Sequence, residues 1–222
     1  MKSKKINETY GIIGLGRFGF ALARTLAQAG AEIIVVDNSE ENINAVSQYT
    51  DNVFLTSSLS KENLKAMGLA NCDTVAVCIG EKIDTSIMTT LSLIQLGVKK
   101  VIAKAVSEDH GNVLKTLGAE VVFPESDMAV RLANKLLTPN ILDYISLSDE
   151  IDIIEIKIND KTDGLSVEKI DLRKNFSLNI IAVKKGNDIT IEIVPSLILN
   201  KDDIITVVGK KENIAKFKEY LE

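Results

Sequence analysis

Short apolar runs alternate with amphipathic segments over the first 137 residues. Six runs are apolar and rich in β-branched residues, as in strands covered on both faces. They are Tyr10–Ile13, Ile33–Val36, Val53–Leu55, Val75–Ile79, Val101–Ala103 and Val121–Phe123. Apolar residues recur at helical spacing near 17–29, 40–48, 61–67, 83–96, 108–117 and 126–137. The alternation of strands and helices predicts an α/β fold with a Rossmann-like, doubly wound parallel sheet.

The pattern changes after residue 137. Residues 138–148 show no clear period and are interpreted as a connector. Beyond them, Ile151–Ile158 alternates like a strand with one solvated face. Further elements are expected at Ile180–Val183, Ile189–Ile193, Ile204–Val208 and, as a closing helix, Ile214–Leu221. The sequence therefore predicts a first domain over 1–137, a connector over 138–148, and a smaller α+β domain over 149–222.

Composition narrows the class of protein. The 222 residues carry a formal net charge of −5, with 45% hydrophobic and 26% charged residues. This charge argues against broad binding to nucleic acid or to anionic membranes, which needs a positive field. No apolar run approaches the roughly 20 residues of a membrane helix, and the N-terminal MKSKKINETY does not resemble a signal peptide. We expect a cytoplasmic protein without direct membrane insertion.

A glycine-rich turn provides the strongest chemical signal. Gly14, Gly16 and Gly19 follow the first predicted strand and open the first predicted helix. In such a turn the first glycine permits the bend, the second admits a pyrophosphate, and the third allows the helix to pack closely. Asp37 closes the second strand, where an acidic residue binds a ribose diol and disfavours NADP. The pattern predicts a nucleotide site; the alternative is a structural turn that has lost its ligand.

Residues beside these motifs extend the predicted site. Arg17 places a cation at a helix N-terminus, which is unfavourable unless a phosphate lies nearby; a solvated surface arginine is the alternative. Ile79 and Gly80 end a central strand at the edge where ligands bind in open α/β sheets, although a plain turn explains them equally well. Phe18 and Asn38, which adjoin the glycine turn and Asp37, complete this set.

Evidence for catalysis is weak. The sequence contains a single histidine, His110, whose acidic neighbours Glu108 and Asp109 predict a solvated position. The two cysteines match no redox or metal motif, and Cys78 is interpreted as a small buried hydrophobic residue. No nucleophile elbow or P-loop is present. We therefore predict a non-enzymatic protein.

The chain resembles the regulatory subunits of Ktr/Trk-type bacterial potassium uptake systems, which carry N- and C-terminal RCK domains. The stretches that carry the resemblance are GIIGLGRFG (11–19), VVDNSEENI (35–43), VAVCIGEKIDTSIMTTLSLIQLGVKKVIAKA (75–105), VLKTLGAEVVFPESDMAVRLA (113–133), LDYISLSDE (142–150) and IDLRKNFSLNIIAVKKG (170–186). The resemblance implies homodimers assembled into a ring, commonly an octamer, on the cytoplasmic face of a potassium-translocating membrane subunit. It also implies binding of ATP or ADP, or in some members NAD(H), without turnover.

The resemblance assigns roles to individual residues. Arg17 is expected to reach a γ-phosphate, Lys104 to lie beside the phosphates, and Glu125 to help hold a divalent cation such as Mg²⁺. From the sequence alone, Glu125 is better explained as a carboxylate at a helix start. Ser57 stands where many relatives carry an acidic or amide residue, which puts one contact near the adenosine in doubt.

The C-terminal domain resembles that of members that bind cyclic di-AMP across a dimer interface. The matching residues are Ile170, Asp171, Arg173, Asn179, Ile180 and Pro195. Arg173 is suited to pair with a phosphate, Asn179 to read adenine, and the two isoleucines to pack on the base. The alternative is a core strand with a structural Asp171–Arg173 ion pair.

Three hypotheses follow. The first is a nucleotide-sensing gating subunit of a potassium uptake system, with ATP and ADP favouring different shapes of a ring. The second is an NAD-dependent oxidoreductase or NAD(H) redox sensor, because the glycine turn fits these as well. The third is an oligomerisation module with a vestigial pocket.

Overall fold

The computed structural model describes residues 8–137, 141–148 and 150–221. The chain divides into two compact units, Met1–Asp127 and Met128–Glu222. Among the described residues, no helix combines the length and apolar character required to cross a membrane.

The first unit alternates strands and helices. Its strands are β1 (Thr9–Ile13), β2 (Glu32–Asp37), β3 (Val53–Leu55), β4 (Thr74–Val77), β5 (Lys100–Lys104) and β6 (Glu120–Val122). Its helices are α1 (Arg17–Gln28), α2 (Glu40–Val46), α3 (Lys61–Ala66), α4 (Ile83–Gln95) and α5 (Glu108–Leu117), with a 3₁₀ turn at Leu69–Asn71. Helix α6 (Pro124–Leu137) begins in this unit and continues into the second. The six predicted strands are confirmed.

These strands form one parallel sheet in the order β3-β2-β1-β4-β5-β6. The chain order reverses between β1 and β4, which creates the crevice where ligands bind in doubly wound sheets. Apolar cores cover both faces: Ile12 and Ile13 are adjacent on β1, are essentially buried, and belong to different cores. Gly30, Gly68, Gly97 and Gly118 follow helix ends and adopt positive φ angles, which suit helix termination.

The second unit is a smaller α+β domain, as predicted. Its strands are β7 (Ile141–Ser146), β8 (Ile151–Lys157), β9 (Leu165–Ser166), β10 (Asn179–Lys185), β11 (Asp188–Thr190), β12 (Ile198–Leu199) and β13 (Ile204–Lys210). Its helices are α7 (Val167–Ile170), α8 (Leu172–Phe176) and α9 (Lys211–Leu221). Five strands form an antiparallel sheet in the order β11-β10-β13-β8-β7, and β12 pairs with β9. A core centred on Phe217 of α9 and Ile205 of β13 lies beneath this sheet.

Two sequence-based interpretations of this unit were incomplete. The predicted connector, residues 138–148, contains β7, whose pairing with β8 shifts register between Ile141 and Asp143. That irregularity removes the period of two by which a strand is recognised. The strand predicted over Ile189–Ile193 ends at Thr190, and Ile191 is exposed.

Candidate functional site

The first and third glycines of the turn are explained by the protein itself. Gly14 follows β1 with a φ of +92°, and its N–H donates to the Val36 carbonyl at 2.8 Å. A Cβ at Gly14 would lie 3.2 Å from the carbonyl carbon of Cys78. A Cβ at Gly19 would overlap the carbonyl oxygen of Gly14. Both glycines are therefore needed for helix α1 to pack against β1 and β4.

Gly16 differs from the other two. Its φ of −58° suits any residue, and a Cβ there would meet nothing within 4 Å. Gly16 is the N-cap of α1, where no side chain caps the helix and no acidic residue occupies the first turn. The free N–H groups of the first turn and the helix dipole therefore favour an anion above Gly16. Protein packing does not explain this glycine, whereas close approach by a phosphate does.

Asp37 is held in place beside this turn. The residue ends β2 and is 8% exposed. Its Oδ2 accepts a hydrogen bond from the Leu15 N–H, and its Oδ1 accepts from the Ser39 N–H at 2.8 Å. The amide nitrogen of Asn42 also donates to Oδ1, at 3.2 Å. The carboxylate is thus fixed at the rim of the crevice.

A cleft of about 320 Å³ runs along this edge of the sheet. It brings together seven of the predicted site residues: Gly14, Gly16, Asp37, Asn38, Ser57, Ile79 and Gly80. The cleft lies outside the carboxyl ends of β1, β2 and β4, at the point where chain order reverses. Its size lies within the range of small-molecule sites, and about half of the residues that line it are polar or charged, which suits a polar ligand.

A charged cluster adjoins the cleft. Lys104 Nζ lies 2.6 Å from Glu125 Oε1, and the lysine side chain is 13% exposed, the glutamate 64%. The pKa of Glu125 is lowered chiefly by this hydrogen bond, and the charge of Arg17 adds to the effect. A Cβ at Gly80 would lie 3.4 Å from Lys104 Nζ, so the lysine borders the cleft. With two cations and one carboxylate beside a helix N-terminus, the cluster is suited to an anion.

Two further predictions concern the titratable groups of this unit. Cys78 is buried as predicted, and burial raises the pKa of its thiol to about 12. The prediction for His110 was wrong, because the side chain is 3% exposed. Its Nδ1 accepts from the Val106 N–H at 3.4 Å, and burial lowers its pKa. His110 does not line the cleft.

Several cleft residues were missed in the sequence. They are Asn42, Thr56, Glu81, Lys82 and Thr85, together with the apolar wall residues Ile13, Val36 and Leu59. A signal for Asn42 was available: Ser39 caps α2, and Asn42 occupies the third helical position, where a polar side chain reaches back past the cap. The predicted site residues after β4 end at Gly80, so Glu81, Lys82 and Thr85, which follow directly, were not among them.

Comparison with known proteins agrees with this geometry. The TrkA-N domain model matches residues 10–125, and the TrkA-C domain model matches residues 153–222. The chain is 34% identical over 215 residues to Ktr system potassium uptake protein C of Bacillus subtilis (strain 168), covering 96% of this chain and 97% of the relative. This chain belongs to the Ktr/Trk family of RCK regulatory subunits.

Solved structures share the RCK fold. The GsuK channel bound to NAD matches with a TM-score of 0.54 and 22% identity, over 96% of this chain and 38% of that chain. The structure of GsuK bound to ADP matches with a TM-score of 0.50 and 26% identity, over 61% of this chain and 35% of that chain. The present chain thus spans about two-fifths of the GsuK chain or less.

The residues predicted for cyclic di-AMP differ in their exposure within the RCK C-terminal domain. Ile170 is buried in the core, whereas Arg173, Asn179 and Pro195 are exposed and Ile180 is half-buried. Asp171 adopts a φ of +43° and accepts from the Lys174 N–H at 3.2 Å; in the described chain it forms no ion pair with Arg173. Of the six residues, Asn179 alone lines an open cleft found at the start of α9. Cyclic di-AMP binding stays a prediction from the sequence.

Glu125 is the carboxylate predicted to help hold a divalent cation. In the described part of the RCK chain, no group of three or more His, Cys, Asp or Glu residues could hold a metal ion. Mg²⁺ in nucleotide sites is commonly held by one or two carboxylates together with the phosphates. Glu125 is a single exposed carboxylate within the influence of Arg17 at the start of α1, and this fits that mode, in which the nucleotide supplies the remaining ligands.

Proposed function

We propose that this chain is a nucleotide-sensing regulatory subunit of a potassium uptake system, in which ATP and ADP favour different conformations. The observation that carries the proposal is the open space above Gly16, at the uncapped start of α1 and beside the cleft that contains Asp37. Family membership supplies the physiological context, since the B. subtilis relative is a Ktr system potassium uptake protein.

The charged cluster offers a physical basis for telling ATP from ADP. A ligand shifts a conformational equilibrium only through its different affinities for the two states. The third phosphate would attract Arg17 and Lys104 and would compete with Glu125 for the lysine, which is now paired at 2.6 Å. Glu125, once released, would be free to hold Mg²⁺ with the phosphates. ADP, which has one phosphate fewer, would leave this rearrangement incomplete.

Assembly is part of the proposal. Met128, Leu132 and Leu136 are four residues apart on α6 and are 59%, 53% and 73% exposed. Such an apolar stripe on a helix is typical of a subunit contact. We propose that these residues contribute to a homodimer, that dimers assemble into a ring of the octameric kind implied by the family, and that the ring lies on the cytoplasmic face of a potassium-translocating membrane subunit.

We propose further that the nucleotide is sensed without being consumed. NAD(H) is the alternative ligand, because the fold neighbour GsuK was solved with NAD as well as with ADP. An oxidoreductase would need a proton donor or acceptor in the cleft. The Cys78 thiol, with a pKa of about 12, stays protonated at neutral pH and is poorly suited to this task; Glu81 and Lys82 also line the cleft, so a turnover measurement decides between sensing and catalysis.

The test is titration calorimetry of the full chain with ATP, ADP, NAD and NADH, each with and without Mg²⁺. We expect the tightest binding for ATP with Mg²⁺, no phosphate release and no NADH oxidation. Potassium uptake is then measured in cells that carry the chain with its membrane partner, using wild type and a variant that cannot bind nucleotide. Preference for NADH, or steady turnover of either ligand, would contradict the proposal.

A further inference from the structure

The side chains of Asp37 and Asn42 form a bonded pair at the rim of the cleft. Asn42 Nδ2 donates to Asp37 Oδ1 at 3.2 Å, and both residues line the cleft. Asp37 ends β2, whereas Asn42 lies in the first turn of α2. The pair therefore joins the strand end to the following helix at the place where a bound ribose is expected.

Most of the hydrogen-bond acceptor positions of the Asp37 carboxylate are already occupied. An ionised carboxylate offers about four lone-pair positions. Three are taken by the N–H groups of Leu15 and Ser39 and by the amide of Asn42. About one position is left for a ligand, so Asp37 can accept from one ribose hydroxyl but not from both.

Asn42 supplies the second acceptor. Because its amide nitrogen faces Asp37, the amide oxygen on the other branch of the planar group faces away from the carboxylate. In the described part of the chain, no group donates a hydrogen bond to that oxygen. The helical position of Asn42 is fixed by the bond from its own N–H to the Ser39 hydroxyl, at 3.4 Å.

We propose that Asp37 and Asn42 together read the cis-diol of the adenosine ribose, with one hydroxyl donating to Asp37 and the other to the amide oxygen of Asn42. This deepens the proposed nucleotide site and rests on it. It also makes Asn42 a determinant of specificity, because each hydroxyl has its own acceptor. A ligand that lacks either hydroxyl, or carries a phosphate on one, would leave one acceptor unmatched.

The test compares ATP with 2′-deoxy-ATP and 3′-deoxy-ATP in titrations of the full chain. In the wild type we expect each analogue to bind roughly tenfold weaker than ATP. Asn42→Leu removes the amide oxygen, and the leucine side chain, which is of nearly the same size, covers the Asp37 Oδ1 position that the amide nitrogen releases, while two backbone N–H groups still hold Asp37. We therefore expect this variant to lose the penalty for one analogue and to keep the penalty for the other. Asn44→Leu makes the same change at an exposed position of α2 and should retain both.

Each outcome decides the question. Loss of both penalties, or of neither, in Asn42→Leu would overturn direct reading by Asn42 while leaving the nucleotide site intact. If the wild type binds ATP and both analogues equally, this inference alone fails. If it binds no adenine nucleotide, the proposed function fails too. Should leucine prevent folding, Asn42→Met removes the same amide group with a flexible side chain that still covers Asp37 Oδ1 and is measured in the same way.

Discussion

The ammonium group of Lys104 and the carboxylate of Glu125 meet at 2.6 Å, and their exposures differ markedly, at 13% and 64%. Lys104 closes β5, at the same edge of the sheet as the glycine turn, whereas Glu125 begins α6. Among the described residues, Glu125 is the one ion-pair partner of this largely buried lysine, and because that partner is exposed, Lys104 is well placed to exchange it for a phosphate.

Lys104→Met should weaken ATP binding more than AMP binding. Removing one charge-assisted bond costs about 1.5–3 kcal/mol, or roughly 10–100-fold in affinity. Lys100→Met is the matched control, since Lys100 begins the same strand and forms an exposed pair with Glu120 at 2.8 Å. Calorimetric titration of both variants checks the prediction, and equal losses for ATP and AMP would remove Lys104 from the phosphate site.

Arg17→Ala should also discriminate between nucleotides. Arg17 is the first residue of α1 and acts on Glu125 through its charge. We expect the affinity for ATP to fall roughly tenfold and that for ADP to fall less, because the proposed site places the third phosphate nearest the Arg17 guanidinium. Arg24→Ala, an exposed arginine further along α1, serves as the control. An equal reduction for the two nucleotides would argue against contact with the third phosphate.

Two substitutions in the glycine turn should separate the effect on nucleotide binding from the effect on folding stability. Gly16→Ala places a methyl group in open space and should cost less than about 1 kcal/mol of folding free energy, yet it should abolish nucleotide binding by obstructing the phosphate. Gly19→Ala forces a methyl group onto the Gly14 carbonyl and should cost about 3 kcal/mol or more. Urea denaturation together with nucleotide titration measures both. A Gly16→Ala variant that binds normally would show that nothing approaches that space.

Glu125 gives a pH-dependent prediction. Its pKa is lowered first by the hydrogen bond from Lys104 and then, in smaller part, by the charge of Arg17. A carboxyl group with a lowered pKa stabilises the folded chain above its unfolded pKa, and this contribution is lost as the pH falls through the folded pKa. Because the side chain is 64% exposed, we expect well under 1 kcal/mol. NMR titration should show the Glu125 pKa rising more in Lys104→Met than in Arg17→Ala.

His110 predicts a second, separate pH effect. Burial lowers the pKa of His110 in the folded chain. At a pH between the folded and unfolded pKa values, the unfolded chain therefore binds a proton and the folded chain does not. Stability should therefore fall as the pH drops below about 6.5, by at most roughly 1.4 kcal/mol per pH unit, and should level off below the folded pKa. His110 is the single histidine, so the effect should vanish in His110→Gln. Stability that stays flat from pH 7 to 5 in the wild type would contradict this account.

The sequence predicted the first unit well because its strands are buried on both faces. Ile12 and Ile13 point into different cores, so the strand appears as an uninterrupted apolar run rather than an alternation. The glycine turn could also be predicted from the sequence, because close contacts at Gly14 and Gly19 leave no room for a side chain and so require glycine at both positions.

Other features depend on contacts that leave no periodic trace. Strand β7 carries a register shift, and α7 and α8 are single short turns joined at Asp171 in a left-handed conformation. The acidic neighbours of His110 suggested that its side chain is exposed to solvent. The helix begins at Glu108, however, so His110 is its third residue and faces the protein interior. The capping position of Asn42, three residues after Ser39, was a local signal, but its contact with Asp37 joins two different elements and has no trace in the sequence pattern.

The two cysteines have a practical consequence for measuring conformational change. Cys72 and Cys78 are both buried and unpaired, and burial raises the pKa of their thiols to about 11 and about 12. Folded wild-type chain should therefore react slowly with maleimides at neutral pH. A single cysteine introduced at an exposed position outside the proposed dimer contact, such as Lys216→Cys on α9, could carry a fluorophore with little background labelling. Distances between labelled subunits would then report directly on how each nucleotide reshapes the assembly.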